Sequence, residues 1–84
     1  MGARKDFVRM LNNPVGVRFG TLLRVVEAFG LELHRTEGSH RIYKHPAVPG
    51  LLNLQERKGE AKSYQVRQFL KIVEKYGLRL PGEE

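Results

Sequence analysis

The chain has 84 residues, which argues for one small domain. A chain of this size buries only about 60% of its unfolded surface, so function is expected on an open surface and not in a deep cavity. The absence of cysteine excludes disulfides, thiolate catalysis and cysteine-ligated zinc. The formal net charge of +6 favours nucleic acid or an acidic protein as the partner.

No run of sequence approaches the roughly 20 apolar residues that a membrane span needs. The first residues, MGARKDF, lack the apolar core of a signal peptide, and Asp6 stands where a myristoylation signal has Ser or Thr. We therefore expect a cytoplasmic protein.

Two helices are predicted in the first third of the chain. A narrow apolar stripe predicts a first helix over Arg4–Leu11, which ends before Pro14 because the residue preceding a proline disfavours helix. A wide apolar face predicts a second helix over Arg18–Phe29, closed by Gly30. We divide the chain into an N-terminal extension with a short helix (residues 1–18), a main domain (19–80) and a frayed tail (81–84).

Three strands and a last helix follow. Alternation of apolar and polar residues predicts strands over Leu31–Glu37 and His40–His45, joined by a tight turn at Gly38-Ser39, and a short third strand over Leu51–Gln55. A polar loop then leads to a helix over Tyr64–Tyr76, with Ser63 as its N-cap.

The fold class expected from this order is α+β. Two main helices, each with one apolar face, would pack on one face of a three-stranded antiparallel sheet, and the other face would remain free for a ligand. The order α-β-β-β-α is also that of the double-stranded-RNA-binding domain, although fold alone does not fix function.

The histidines are the candidate acid–base groups. Histidine accepts and donates protons near neutrality, as cleavage of RNA by its own 2′-hydroxyl requires. His40 stands at a junction of turn and strand, exposed yet held by the sheet. His40 and His45 lie at opposite ends and on opposite faces of one strand, which argues against a zinc site, and no metal is required in principle. From its position alone, His40 is more often interpreted as an ordinary exposed strand residue than as a catalytic one.

Basic and aromatic side chains near His40 are candidate RNA contacts. Charge and position nominate them as groups that grip phosphate or stack on a base, and Tyr43 is equally compatible with a place in the core. The predicted contacts are Arg35, Ser39, Arg41, Tyr43, Lys44 and Lys62. By strand alternation His40 shares a face with Ile42, whereas Arg41 shares the other with Tyr43.

The run LELHRTEGSHRIYKHP, over Leu31–Pro46, resembles the HicA family of bacterial toxins, with Gly-Ser-His followed five residues later by His-Pro. The preceding segment LLRVVEAFG and the later run GEAKSYQVRQFLKIVEKYGL also fit that family. The resemblance covers roughly Leu22–Leu78. It implies a fold like the double-stranded-RNA-binding domain, ribosome-independent cleavage of mRNA with His40 as the catalytic residue, and a HicB-like antitoxin as the partner.

Two other functions remain open from the sequence. A non-catalytic RNA-binding module has the same element order and charge, but it would carry several lysines at the start of the last helix, where Lys62 stands nearly alone. An adaptor that binds an acidic protein is compatible with the charge alone. Binding to duplex RNA without cleavage would favour the RNA-binding module. A lack of RNA binding at low salt would favour the adaptor.

Overall fold

A computed structural model describes residues 2–82. The chain order is helix, helix, four strands and helix: α1 (Gly2–Asn12), α2 (Phe19–Ala28), β1 (Glu32–Glu37), β2 (His40–His45), β3 (Val48–Arg57), β4 (Glu60–Ala61) and α3 (Ser63–Tyr76). The α+β class is confirmed, and the sheet has one strand more than predicted. None of the helices within residues 2–82 has the length and apolar character needed to cross a lipid bilayer.

The four strands form one antiparallel sheet in the order β1-β2-β3-β4. Cross-strand partners point to the same face. Tyr43 pairs with Leu52, and both belong to the core formed with the helices. His40 pairs with Gln55 and Ile42 with Asn53, and these residues point to the opposite face, which we call the open face. The predicted division of β2 between two faces agrees with this register.

The core lies between the covered face of the sheet and all three helices. Phe29, just after α2, contacts the ring of Phe7 in α1 at 4.7 Å and that of Phe69 in α3 at 5.7 Å between centroids. Met10 of α1 is 1% exposed. The N-terminal helix therefore extends the hydrophobic core.

Two glycines have the positive φ that a tight turn and a helix end require. Gly38, with φ +60°, occupies the first position of the two-residue turn between β1 and β2, the pattern of a type II′ hairpin. Gly77, with φ +62°, closes α3 in the left-handed conformation.

The third strand is longer than predicted. Pro49 and Gly50 precede the predicted strand Leu51–Gln55, but they lie within β3, where three residues between Val48 and Leu52 oppose one residue of β2. This bulge, with Gly50 at φ +82°, absorbs the proline without ending the strand.

The segment expected as a polar loop contains β4. Lys58 and Gly59 both have positive φ, as in a type I′ turn, and Glu60 then pairs with Arg57. Backbone bonds from Ala61 N–H to Val17 O at 2.8 Å and from Phe19 N–H to Gly59 O at 3.0 Å tie this strand to the start of α2. A strand of two residues is too short to leave a periodic pattern.

Helix α3 begins one residue earlier than predicted. Lys62 is its N-cap residue and makes no side-chain cap bond, whereas Ser63 is inside the helix, where its Oγ accepts a bond from Arg67 at 3.3 Å. At the C-terminal end Leu80 is buried and Pro81 begins a turn, and Glu83 and Glu84 of the predicted frayed tail lie outside the described residues.

Candidate active site

His40 is the first residue of β2, immediately after the Gly38-Ser39 turn. It is half-buried on the open face, with Glu37 opposite on β1 and Gln55 opposite on β3. The sheet on both sides restricts the ring, while the turn leaves one end of it open to solvent. A side chain in this position is held in place and remains accessible to a large ligand.

A hydrogen bond to Asn53 orients the His40 ring. His40 Nδ1 lies 2.9 Å from Asn53 Oδ1, a diagonal contact between β2 and β3. An amide oxygen only accepts hydrogen bonds, so Nδ1 carries the proton and donates it. In the neutral ring the lone pair is then on Nε2, the nitrogen for which no protein partner is found among residues 2–82. The arrangement presents a base at a fixed atom.

Gln55 connects the turn to the start of α3. Its Nε2 donates to Ser39 Oγ at 3.5 Å, and its Oε1 accepts from Lys62 Nζ at 3.1 Å. The amide therefore brings an ammonium group and a hydroxyl to the part of the open face that holds His40. Both are suitable partners for the oxygens of a phosphate.

The backbone edge of β3 beside this site is capped by Gln65, which is 5% exposed. Its Oε1 accepts from Gln55 N–H at 2.9 Å, and its Nε2 donates to Asn53 O at 3.1 Å. The side-chain amide thus occupies the place of a neighbouring strand where β4 does not reach. It fixes the backbone that carries Asn53 and Gln55 and satisfies an otherwise unpaired edge.

Two of the predicted basic contacts share the open face with His40. Arg35 pairs with Ile42 across β1 and β2, and its Nε contacts Glu37 Oε2 at 2.6 Å, which offsets the carboxylate opposite His40. Lys44 is exposed, four residues along β2 from His40, which corresponds to about 13 Å. Lys44 is therefore remote from the histidine.

Arg41 and Tyr43 lie on the other face. Arg41 is exposed and pairs with Leu54, whereas Tyr43 is 1% exposed and donates its hydroxyl proton to Glu27 at 2.7 Å. Burial, reinforced by the bond to Glu27, raises the pKa of Tyr43 well above its usual value. The ring of Tyr43 has no accessible surface on which a base could stack, so its place in the core replaces its interpretation as an RNA contact.

The other two histidines differ from His40 in their contacts. His45 Nδ1 accepts from Ala47 N–H at 3.0 Å within the turn after β2, and its ring packs against Gly30. His34 is exposed at a register shift in β1. Within the described part of the chain, no three histidine, aspartate or glutamate side chains are placed to hold a metal ion.

The sequence prediction missed Asn53, Gln55 and Gln65. Asn53 and Gln55 could have been predicted from strand alternation, since the run LLNLQ places apolar residues on the covered face and amides on the open face. Gln65 left no such signal, because its function depends on the docking of α3 against the edge of β3.

Comparison with known proteins identifies one family. The family model described as the HicA toxin of bacterial toxin–antitoxin systems matches residues 20–79. The match includes β1 to β4, α3 and all of α2 except Phe19, and it therefore contains His40 with all its neighbours at the site. No curated protein and no solved structure gives a significant match.

Proposed function

Because the chain belongs to the HicA family, the toxins of bacterial toxin–antitoxin systems, we propose that it is a ribosome-independent endoribonuclease that cleaves mRNA with His40 as its catalytic residue. The observation that carries the proposal is the His40–Asn53 bond, which holds the ring and leaves Nε2 available. The family also implies an antitoxin partner, and we propose that this is a HicB-like protein that binds the basic toxin by charge complementarity.

The proposed reaction begins with neutral His40. Its Nε2 takes the proton of a ribose 2′-hydroxyl, and the oxygen attacks the adjacent phosphorus. The bond from phosphorus to the 5′-oxygen breaks, and that oxygen takes a proton from water. The hydroxide left behind takes the proton from the His40 imidazolium, which returns to its neutral form. The products are a 2′,3′-cyclic phosphate and a free 5′-hydroxyl, so no metal is needed to balance the step.

Lys62 is the proposed electrostatic group. Negative charge gathers on the phosphate as the 2′-oxygen attacks, and a fixed cation nearby lowers that barrier. Gln55 holds the Lys62 ammonium at 3.1 Å and connects it to Ser39, which would donate to another phosphate oxygen. Arg35, Lys44 and Arg41 would bind phosphates farther along the RNA, and Arg41, on the covered face, would reach the RNA around the end of the sheet at the β1–β2 turn.

The first experiment is incubation of the native protein with a long single-stranded RNA in EDTA, beside the His40→Ala variant. We expect cleavage by the native protein and a 10²- to 10⁴-fold lower rate for the variant, the range that a general acid–base group contributes. Mass spectrometry of the fragments should find cyclic phosphate ends.

His45→Ala is the matched control, because it also removes an imidazole from β2 but one that is not at the proposed site. It should retain most of the activity, and circular dichroism should confirm that both variants fold. Full activity in a folded His40→Ala protein would contradict the assignment. If neither native nor variant protein cleaves RNA but both bind it, the chain acts as an RNA-binding module.

A further inference from the structure

A groove of about 500 Å³ runs between the first half of β3 and the outer surface of α3. Its floor is apolar, formed by Val48, Pro49, Leu51 and Ile72. Leu51 is 48% exposed, and Tyr64, at the end nearest the site, is 60% exposed. A groove that combines exposed apolar and aromatic side chains, on a chain with net charge +6, suits a ligand that has both apolar surface and negative charge.

One wall of the groove carries a row of cations. Arg67, Lys71 and Lys75 follow one another at intervals of four residues along α3, so they share one side of the helix. The row is about 12 Å long, since each residue adds about 1.5 Å. No acidic side chain lines the groove, and within residues 2–82 no carboxylate forms an ion pair with these three. The positive charge is therefore available to a polyanion.

The groove is continuous with the candidate active site. Lys62 Nζ, which donates to Gln55 beside His40, lies 6.0 Å from the centre of the Tyr64 ring. Tyr64 in turn lines the groove, one turn before Arg67. A strand with one phosphate at Lys62 can thus continue along the row of cations without leaving the protein surface.

We infer that this groove binds single-stranded RNA on one side of the scissile phosphate, an inference that rests on the proposed function and extends the substrate site along α3. A row of about 12 Å matches the length of three to four nucleotides of a stacked strand, since successive nucleotides rise about 3.4 Å along the strand axis. The apolar floor and the Tyr64 ring accept bases, which a single strand exposes and a duplex hides. An acidic protein segment would also pair with the row of cations, and the length of RNA that binds separates that occupant from RNA.

The test measures binding apart from cleavage. In a His40→Ala background, fluorescence anisotropy would compare two labelled unstructured RNAs, of 2 and of 14 nucleotides, at several salt concentrations, because a dinucleotide can occupy the site at His40 but cannot span the row of cations. The groove variant carries Arg67→Gln, Lys71→Gln and Lys75→Gln. We expect it to bind the long RNA at least tenfold more weakly and to leave binding of the short RNA nearly unchanged. The slope of log K against log salt should fall by about 2, or about 0.7 for each of three lost contacts.

The matched control removes the same charge from another surface. Lys5→Gln, Arg9→Gln and Arg24→Gln change exposed cations of α1 and α2. The ion pairs that Arg9 and Arg24 form with the half-buried Asp6 are long, at 4.0 and 3.8 Å, and therefore weak. This control should retain the slope and the preference for long RNA.

Equal losses in the groove and control variants would overturn the inference, because the effect would then be one of net charge. Long RNA that binds no better than short RNA would also overturn it and assign the groove to a protein partner. Cleavage by the native protein is scored separately, so an active enzyme with a dispensable groove is distinguishable from a protein that does not act on RNA.

Discussion

The two faces of the sheet divide stability and chemistry between them. On the covered face, Tyr43, Leu52 and Leu54 are at most 2% exposed and pack with the helices. The open face carries His40 of β2 and the two amides Asn53 and Gln55, which alternate with Leu52 and Leu54 along β3. His40 bonds to Asn53, and Gln55 bonds to Ser39 and Lys62. Adjacent residues of one strand therefore have different roles: one packs in the core, and the next belongs to the candidate site.

The division explains how so small a domain can hold a site. Because side chains alternate along a strand, the apolar residues that fix the backbone on one side also fix the positions of the polar residues on the other. The open face therefore needs few packing contacts of its own. It follows that substitutions on the two faces should separate loss of fold from loss of activity.

The largest expected effect on stability comes from the covered side. Phe69 of α3 is 0% exposed and contacts the ring of Phe29. Phe69→Ala should lower the free energy of unfolding by about 3–5 kcal/mol, because it removes buried apolar surface and leaves a cavity. That is a large part of the total stability of a small domain, so urea denaturation should find a variant that is close to unfolded.

Leu33→Ala is the control for burial. Leu33 pairs with Tyr43, so its side chain also points to the covered face. It is nevertheless 47% exposed, because β1 extends beyond the helices. Its loss should cost less than about 1 kcal/mol, within the range of ordinary surface substitutions. If Leu33→Ala destabilised as strongly as Phe69→Ala, the core would extend farther over β1 than described above.

The next effect in size concerns Asn53, on the open face. Asn53→Ala removes the acceptor that orients His40 and should lower kcat by about 5- to 10-fold, the equivalent of one hydrogen bond of about 1 kcal/mol. KM and the unfolding midpoint should change little, because Asn53 is exposed and lies outside the core. Steady-state kinetics with urea denaturation of the same samples would check both.

Asn53→Asp distinguishes orientation from simple packing. A carboxylate accepts from Nδ1 as the amide does, so activity should be partly restored relative to alanine. Asn53→Leu has a similar volume but no acceptor, so it should be no more active than the alanine variant. Equal activity in Asn53→Asp and Asn53→Leu would mean that Asn53 does not act on the histidine ring through a hydrogen bond.

Much of the fold was predictable because it depends on local periodicity. The stripes of α2 and α3 directly indicated which residues face the core, and the alternation in β2 indicated which of its residues share a face. The bulge at Pro49 and Gly50 and the two-residue β4 were not predictable in the same way. Their pairing depends on the neighbouring β2 and on the segment before α2, which are distant in sequence.

The candidate site was predictable in part. The turn before His40 and the family resemblance both indicated His40. Alternation alone could not decide whether Tyr43 points into the core or to the ligand face. Ile42 and Tyr43 are adjacent and both buried, so apolar character did not show which of the two faced the helices. The bond from Asn53 to His40 required the register of β2 on β3, which the sequence does not fix.

The smallest predicted effect is a pH dependence of stability that originates on the covered face. Burial and the bond to Glu27 hold the pKa of Tyr43 in the folded protein well above its value of about 10 in the unfolded chain. Folding therefore favours the protonated phenol, and this contribution is complete below pH 10 and is lost as the pH rises above it. At pH 10 the loss should be about 0.4 kcal/mol, since half of the unfolded chains and few of the folded ones then carry an ionised Tyr43.

Tyr43→Phe isolates that contribution. At pH 7 it should cost about 1 kcal/mol through loss of the bond to Glu27. Between pH 9 and 11 the native protein should lose this advantage, whereas Tyr64→Phe, at an exposed position, should follow the native protein throughout. Urea denaturation of the three proteins across this range measures the differences. A constant difference between the native protein and Tyr43→Phe would mean that the buried hydroxyl ionises as readily as one in solvent, and would place Tyr43 outside the sealed core.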